Sequence, residues 1–199
     1  MEAKKARMTA KDGAKATGSG GLLRPVVLVG MMGSGKTAIG RALATRLGCG
    51  FVDSDAAIEE AADCSIAEIF ARDGEAFFRA RESEVLSRLL DAGPRVISTG
   101  GGAYLAPQNR ALVADRGAAL WLDADLDLLW ERVRHKSTRP LLRTADPRAT
   151  LARLLDERRD IYEQAELRLT AQAGDSIDRT TDRVIALLAT RPDILETRR

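Results

Sequence analysis

The stretch "PVVLVGMMGSGKTAIG" (Pro25–Gly40) constrains this chain more than any other. An apolar run stops at Gly30, a glycine-punctuated loop follows, and a helix-forming run begins at Lys36. A strand entering a helix through a short loop calls for a crossover to a parallel neighbour, so a covered parallel sheet is expected. The loop also fits G-x-x-x-x-G-K-[ST] through Gly30, Gly35, Lys36 and Thr37. Gly30, Gly33 and Gly35 let the backbone curl until successive N–H groups converge on phosphate oxygens. The helix starting near Lys36 points its positive dipole end at the same anion. Lys36 suits the β and γ phosphates, and the Thr37 hydroxyl suits Mg²⁺. The rival reading, a glycine-rich turn without a ligand, does not explain the flanking strand and helix. Nucleoside triphosphate binding is the expectation.

The rest of the chain keeps the same alternation. After "PVVLVG" and the helix Lys36–Leu47, "GFVDSD" ends a second strand, and helical patterns cover about 55–62, 65–71 and 75–91. Further strands are expected at Arg95–Thr99, Ala118–Asp123 and Leu167–Thr170. Helices are expected at 107–115, 126–133, 147–164 and 177–189. The length of 199 residues suits one α/β domain. Residues 1–21 have no apolar period and end in Gly and Ser, which reads as a disordered basic tail before a single domain over 22–199. A secretory signal is excluded by the missing apolar segment, and the tail is short for an organelle transit peptide.

Charge bounds the partners. Lys and Arg number 31 against 29 Asp and Glu, a net +2, so no global field favours nucleic acid or an anionic membrane. Cys49 and Cys64 make neither a metal-ligand spacing nor a disulfide framework, so a reducing cytoplasm is expected. No apolar run approaches the roughly 18 residues of a membrane span. A guanine-reading Asn-Lys-x-Asp is absent, because the sole asparagine, Asn109, precedes Arg110.

Several carboxylates and arginines compete for roles. Asp53 and Asp55 in "FVDSD" leave a strand end on one face, suited to holding Mg²⁺ and to taking a proton from a hydroxyl; the plainer reading has Ser54 or Asp55 capping the next helix. Asp123, ending "ALWLD", looks like a Walker B carboxylate, and spacing does not choose between it and Asp53. Asp123 or Asp125 capping the helix at Leu126 is the plainer reading. Glu75, Arg79 and Glu82 share a helix face and read first as a solvated ion-pair ladder. The basic loop "RHKSTRPLLR" (Arg134–Arg143) has the composition of a lid over phosphates or of an ordinary surface loop.

A second glycine-rich loop, "STGGGA" (Ser98–Ala103), remains after one nucleotide is accounted for. Together "GMMGSGKTAIGRALA", "FVDSD", "SIAEIFARDGEAFFRARE", "VISTGGGA", "RPLL" and "ERRDIYEQAE" resemble the shikimate kinase family over about residues 25–189. The resemblance implies a three-layer P-loop kinase fold: a five-stranded parallel sheet of order 2-3-1-4-5 with helices on both faces. It also implies a mobile lid at about 134–146 and substrate-binding helices at about 55–91. It implies an Mg²⁺-dependent enzyme that uses ATP to phosphorylate the 3-hydroxyl of shikimate, on the route to aromatic amino acids. A cytoplasmic monomer is expected.

By the same resemblance Gly33, Ser34, Gly35, Lys36, Thr37 and Ala38 bind ATP, Asp55 receives the acceptor hydroxyl, and Gly101 meets the acceptor by its backbone. Arg79 and Arg158 clamp the shikimate carboxylate, Arg139 reaches the phosphates from the lid, and Thr37 and Asp53 hold Mg²⁺. The resemblance implies that many relatives carry an arginine after the last strand to stack on adenine, where this chain reads "AQAGDS". Gln172, or Arg132 or Arg134 from the lid side, is expected to serve instead. Gluconate kinases, nucleoside-monophosphate kinases and a non-catalytic ATP-binding regulator are the rivals.

Overall fold

The computed structural model describes residues 21–135 and 140–196. The expected basic tail lies almost wholly outside these residues, as does Arg139, and the expected lid segment is described only at 134–135 and 140–146. Five strands form one parallel sheet: β1 (Val26–Val29), β2 (Gly50–Asp53), β3 (Arg95–Ser98), β4 (Ala118–Asp123) and β5 (Leu167–Thr170). Their spatial order is β2-β3-β1-β4-β5, the order the family resemblance implies. In register, Val27 stands beside Ile97 on one side and Ala119 on the other.

The helices are α1 (Lys36–Leu47), α2 (Ser54–Ala62), α3 (Ile66–Asp91), α4 (Pro107–Arg116), α5 (Leu126–Val133), α6 (Pro147–Tyr162) and α7 (Ile177–Leu188). Side chains alternate across β1, as a strand's period of two requires. Val26 and Leu28 face α1 and α7, where Ile39, Leu43, Val184 and Leu188 close one core. Val27 and Val29 face the other side, where Leu86 of α3, Val113 of α4, Leu129 of α5 and Leu151 of α6 close the second. A small third cluster, Ile58, Ile69, Phe78 and Val85, joins α2 to α3.

The elements depart from the sequence expectation in places beyond small shifts of their ends. Gly74, at φ 83° and ψ 174°, interrupts α3, so the patterns at 65–71 and 75–91 are two arms of one kinked element. This left-handed-side φ suits a residue without Cβ. A 3-10 turn, Ala103–Leu105, follows the second glycine loop. The C-terminal stretch also packs into the core: Ile194 and Leu195 are buried, and Leu22 pairs with Leu195 in an antiparallel bridge. Gly21, expected in the tail, accepts a hydrogen bond from the Glu196 amide at 3.1 Å. No helix among the described residues is long and apolar enough to cross a membrane.

Candidate active site

The strand order reverses direction at β1, and in an open parallel sheet ligands bind beyond the carboxyl ends at that point. The loop between β1 and α1 lies there. Gly30 (φ 134°) and Gly33 (φ 86°) take conformations that L side chains rarely adopt. Neither has room for one: a Cβ would lie 2.8 Å from the Leu122 carbonyl at Gly30 and 2.7 Å from Val133 at Gly33. Gly35 precedes α1 without a side chain to cap it, which leaves the first-turn amides directed to the cleft. The Lys36 ammonium donates to the Gly30 and Met31 carbonyls at 2.8 and 2.9 Å. The Ser34 hydroxyl is buried with no hydrogen-bond partner among the described residues.

A cleft of about 450 Å³ opens over this loop and is lined by residues 32–39, Asp53, Asp55, Thr99, Gly100 and Gly101. Thr37 Oγ1 donates to Asp53 Oδ2 at 2.9 Å and lies 3.3 Å from Ser98 Oγ. Asp53 Oδ1 meanwhile accepts from the Asp55 amide at 3.1 Å, so Asp53, and neither Ser54 nor Asp55, caps α2. Among the described residues no group of three or more His, Cys, Asp or Glu is arranged to hold an ion alone. Thr37 and Asp53 do offer a pair of hard oxygens, which fits Mg²⁺ shared with phosphates and water. Asp123 is committed elsewhere: it accepts from Arg168 at 2.7 Å, and Asp125 caps α5. The Walker B reading of Asp123 therefore finds no support in its surroundings.

The second glycine loop runs along the opposite wall. Thr99 ties it to β1 through a 2.9 Å bond from Oγ1 to the Leu28 carbonyl. None of its three glycines has a positive φ, so backbone conformation does not call for them. Close approach does. A Cβ on Gly100 would stand 2.6 Å from Asp55 Oδ1, and one on Gly102 would stand 2.7 Å from Arg79 Nη1. At Gly101 the nearest protein atoms would be 3.7 Å away, an ordinary contact, with Arg158 Nη1 at 3.9 Å. The loop thus brings Asp55, Arg79 and Arg158 around one short segment.

Arg79 is held from both sides on α3, by Glu75 Oε1 at 3.2 Å and Glu82 Oε2 at 2.9 Å. Burial opposes the Arg79 charge, but the bonds to Glu82 and Glu75 outweigh it and raise its pKa. Glu82 is only 2% exposed, so the expected solvated ladder is in fact anchored in the interior. Burial pushes its carboxyl pKa up, Arg79 pulls it back, and the nearby Asp55 charge adds to the rise. The sequence carried a signal for this: Glu82 falls on the helical stripe of the buried Phe78 and Val85. Ser98, beside Thr37, was also missed, and nothing in its type or spacing singles it out.

On the side of the cleft expected to take the base, the lining residues do not include Gln172. Gln172 is exposed and does not line the cleft, whereas Ala171, Asp175, Ile177 and Thr180 do. Arg132 lines the facing wall, its Nη1 donating to the Gly33 carbonyl at 3.3 Å. Arg134 is exposed and is not among the lining residues.

The sequence and the fold also match known proteins. The family model described as Shikimate kinase matches residues 32–189. A shikimate kinase of Ruegeria pomeroyi is 60% identical over 90% of this chain and 92% of its own length. One from Cereibacter sphaeroides is 57% identical over 88% of each chain. The solved shikimate kinase of Acinetobacter baumannii, in complex with shikimate, superposes with a TM-score of 0.79 at 35% identity, covering 85% of this chain and 95% of that one. A phosphate loop facing an acidic residue and a glycine loop across one cleft, and a match over most of the sequence, lead to one conclusion: the chain belongs to the shikimate kinase family.

Proposed function

We propose that this chain transfers the γ-phosphoryl group of ATP to the 3-hydroxyl of shikimate, giving shikimate 3-phosphate and ADP. The observation that carries the reading is the Asp55 carboxylate packed against Gly100, across one cleft from the phosphate loop. A carboxylate at that position can take the hydroxyl proton, while Arg79 and Arg158 supply bidentate donors for the acceptor's carboxylate.

In this mechanism the phosphate loop and α1 bind the triphosphate through residues 33–38. Lys36 exchanges its loop carbonyls for phosphate oxygens, which keeps it hydrogen-bonded throughout. Thr37 and Asp53 would hold Mg²⁺, and the bound ion supplies neutralising charge on the β and γ phosphates. Shikimate lies along the glycine loop, its carboxylate on Arg79 and Arg158 and its 3-hydroxyl at Asp55. The hydroxyl oxygen bonds to the γ-phosphorus, its proton passes to Asp55, and the bond to the β–γ bridging oxygen breaks. ADP is the leaving group. Positioning and electrostatics do most of the work in such transfers.

We assign Arg139 the role of steadying charge on the transferring group, as the resemblance implies. Adenine is assigned to the space between Arg132 and the segment carrying Ala171, Asp175 and Ile177, which all line the cleft. We assign the protein to the cytoplasm as a monomer; its two free cysteines suit that compartment.

The test is ADP release from Mg·ATP by the purified protein with shikimate, gluconate, AMP or CMP, and with no acceptor. Turnover that requires shikimate is expected. Release driven equally by gluconate, or by none of these acceptors, overturns the reading.

A further inference from the structure

Gly101 has no side chain of its own, and something else must hold it in place. The carbonyls on either side are used within the turn: Gly100 O accepts from the Ala103 amide at 3.2 Å and Gly102 O from the Leu105 amide at 3.0 Å. The Gly101 carbonyl points out of that turn and accepts from the hydroxyl of Tyr162, the last residue of α6. Tyr162 is fully buried. Its ring stacks on Trp121 at 6.1 Å between centroids, and its hydroxyl also lies 4.0 Å from the Met31 sulfur. A ring packed in this way has one usable orientation, so its hydroxyl is a fixed point.

Tyr162 also stands four residues after Arg158, which puts both on one face of α6. The Arg158 guanidinium is close enough to work against the burial that raises the Tyr162 phenol pKa. The phenol oxygen therefore sits at the junction of the middle glycine and the arginine that flanks it. The next stretch of the loop has its own fasteners, Asn109 Nδ2 on Ala103 O at 2.9 Å and Arg110 Nη1 on Leu105 O at 2.8 Å. Neither reaches Gly101.

The geometry points to Tyr162 as a positioning residue that sets Gly101 and Arg158 relative to one another for the acceptor. It touches neither substrate; it acts through those two groups. This rests on the assignment of the glycine loop to the acceptor made above.

Tyr162→Phe removes one hydroxyl and keeps the ring. The KM for shikimate should rise about tenfold while the KM for ATP stays within about twofold, as expected for one buried hydrogen bond felt at one subsite. Combined with Arg158→Ala, the effects on shikimate KM should be less than additive, because both act on one contact. An unchanged shikimate KM, equal shifts in both KM values, or full additivity overturns the proposal. A purely structural role would lower the melting temperature and leave this split absent.

If Tyr162→Phe does not fold, the unaltered chain decides. It has two tyrosines, so 3-fluorotyrosine labelling gives two fluorine resonances, assigned with Tyr104→Phe. The Tyr162 resonance should move when shikimate is added and hold still with ATP alone; no movement with shikimate overturns the proposal. Parent protein that neither turns over nor binds shikimate would instead remove the acceptor reading, and this proposal with it.

Discussion

The Asp55 carboxylate and the Gly100 backbone share space that admits no further atom: a Cβ at Gly100 would lie 2.6 Å from one carboxylate oxygen and 3.0 Å from the other. Asp55 stands in the first turn of α2 and lines the cleft, so its carboxylate would have to turn away from Gly100 into that space. Gly100→Ala should therefore displace Asp55 and cut kcat about a hundredfold, the scale of a misplaced catalytic group. Gly101→Ala offers a contrast, because the protein itself accommodates that Cβ. Its melting temperature should match the parent while the shikimate KM rises. Equal loss of stability in both variants would mean that the loop's glycines serve packing alone.

Arg79 reaches the same loop at Gly102 and is steered by the buried Glu82 at 2.9 Å. Glu82→Gln keeps the shape and removes the charge that orients the guanidinium. The shikimate KM should rise about tenfold with ATP affinity unchanged, in line with a charge-assisted hydrogen bond. Steady-state kinetics against each substrate separately will check this, and a shift confined to the ATP KM would contradict the assignment.

Asp55→Asn removes the carboxylate proposed to take the hydroxyl proton and leaves the phosphate loop intact. We expect kcat to fall by about 10² to 10⁴, the usual contribution of a positioned base. Binding of ATP, measured by calorimetry, should be unaltered. Parent-like turnover would exclude Asp55 from the chemistry.

Asp53 has two duties on two oxygens, Thr37 on one and the α2 amides on the other. Asparagine caps a helix as well as aspartate does, so Asp53→Asn and Asp53→Ala separate the duties. Both should raise the Mg²⁺ concentration needed for half-maximal turnover. Only the alanine variant should also lose about 1 kcal/mol of stability in urea denaturation. Excess chelator should abolish turnover of the parent.

Burial raises the phenol pKa of Tyr162 and of Tyr104, with Arg158 and Arg110 opposing. The sign of the resulting pH dependence follows from proton counts. As pH climbs through about 10, the ordinary phenol value, the unfolded chain releases its phenol protons first and the folded chain holds more. Stability present below that pH is then lost as pH rises, so the urea midpoint should fall between about pH 9 and 11. Tyr162→Phe should remove part of that fall, and a midpoint that rises over this range would contradict the burial of both phenols.

The strand-loop-helix unit at Val26–Leu47 was legible because every local preference agrees there: an apolar strand, glycines where φ is positive, and good helix formers after Lys36. The alternation of apolar runs likewise made a parallel α/β sheet evident, since buried strands and crossover helices leave distinct periods in a sequence. Gly74 was readable as a break, though whether it separated two helices or bent one depended on how α2 and α3 pack around Ile58 and Phe78.

Contacts between distant segments were a different matter. The sequence shows three adjacent glycines but cannot say that the outer two yield to Asp55 and Arg79 while the middle one is held by Tyr162. These partners lie far away along the chain, and a close approach has no local signature when φ is ordinary. The same holds for Glu82, whose charge reads as solvated until α2 and α3 bury it, and for Asp123, claimed by Arg168 across the β4–β5 pairing. Local chemistry determined which residue types line the cleft; only packing between elements remote in sequence decided which of them meet.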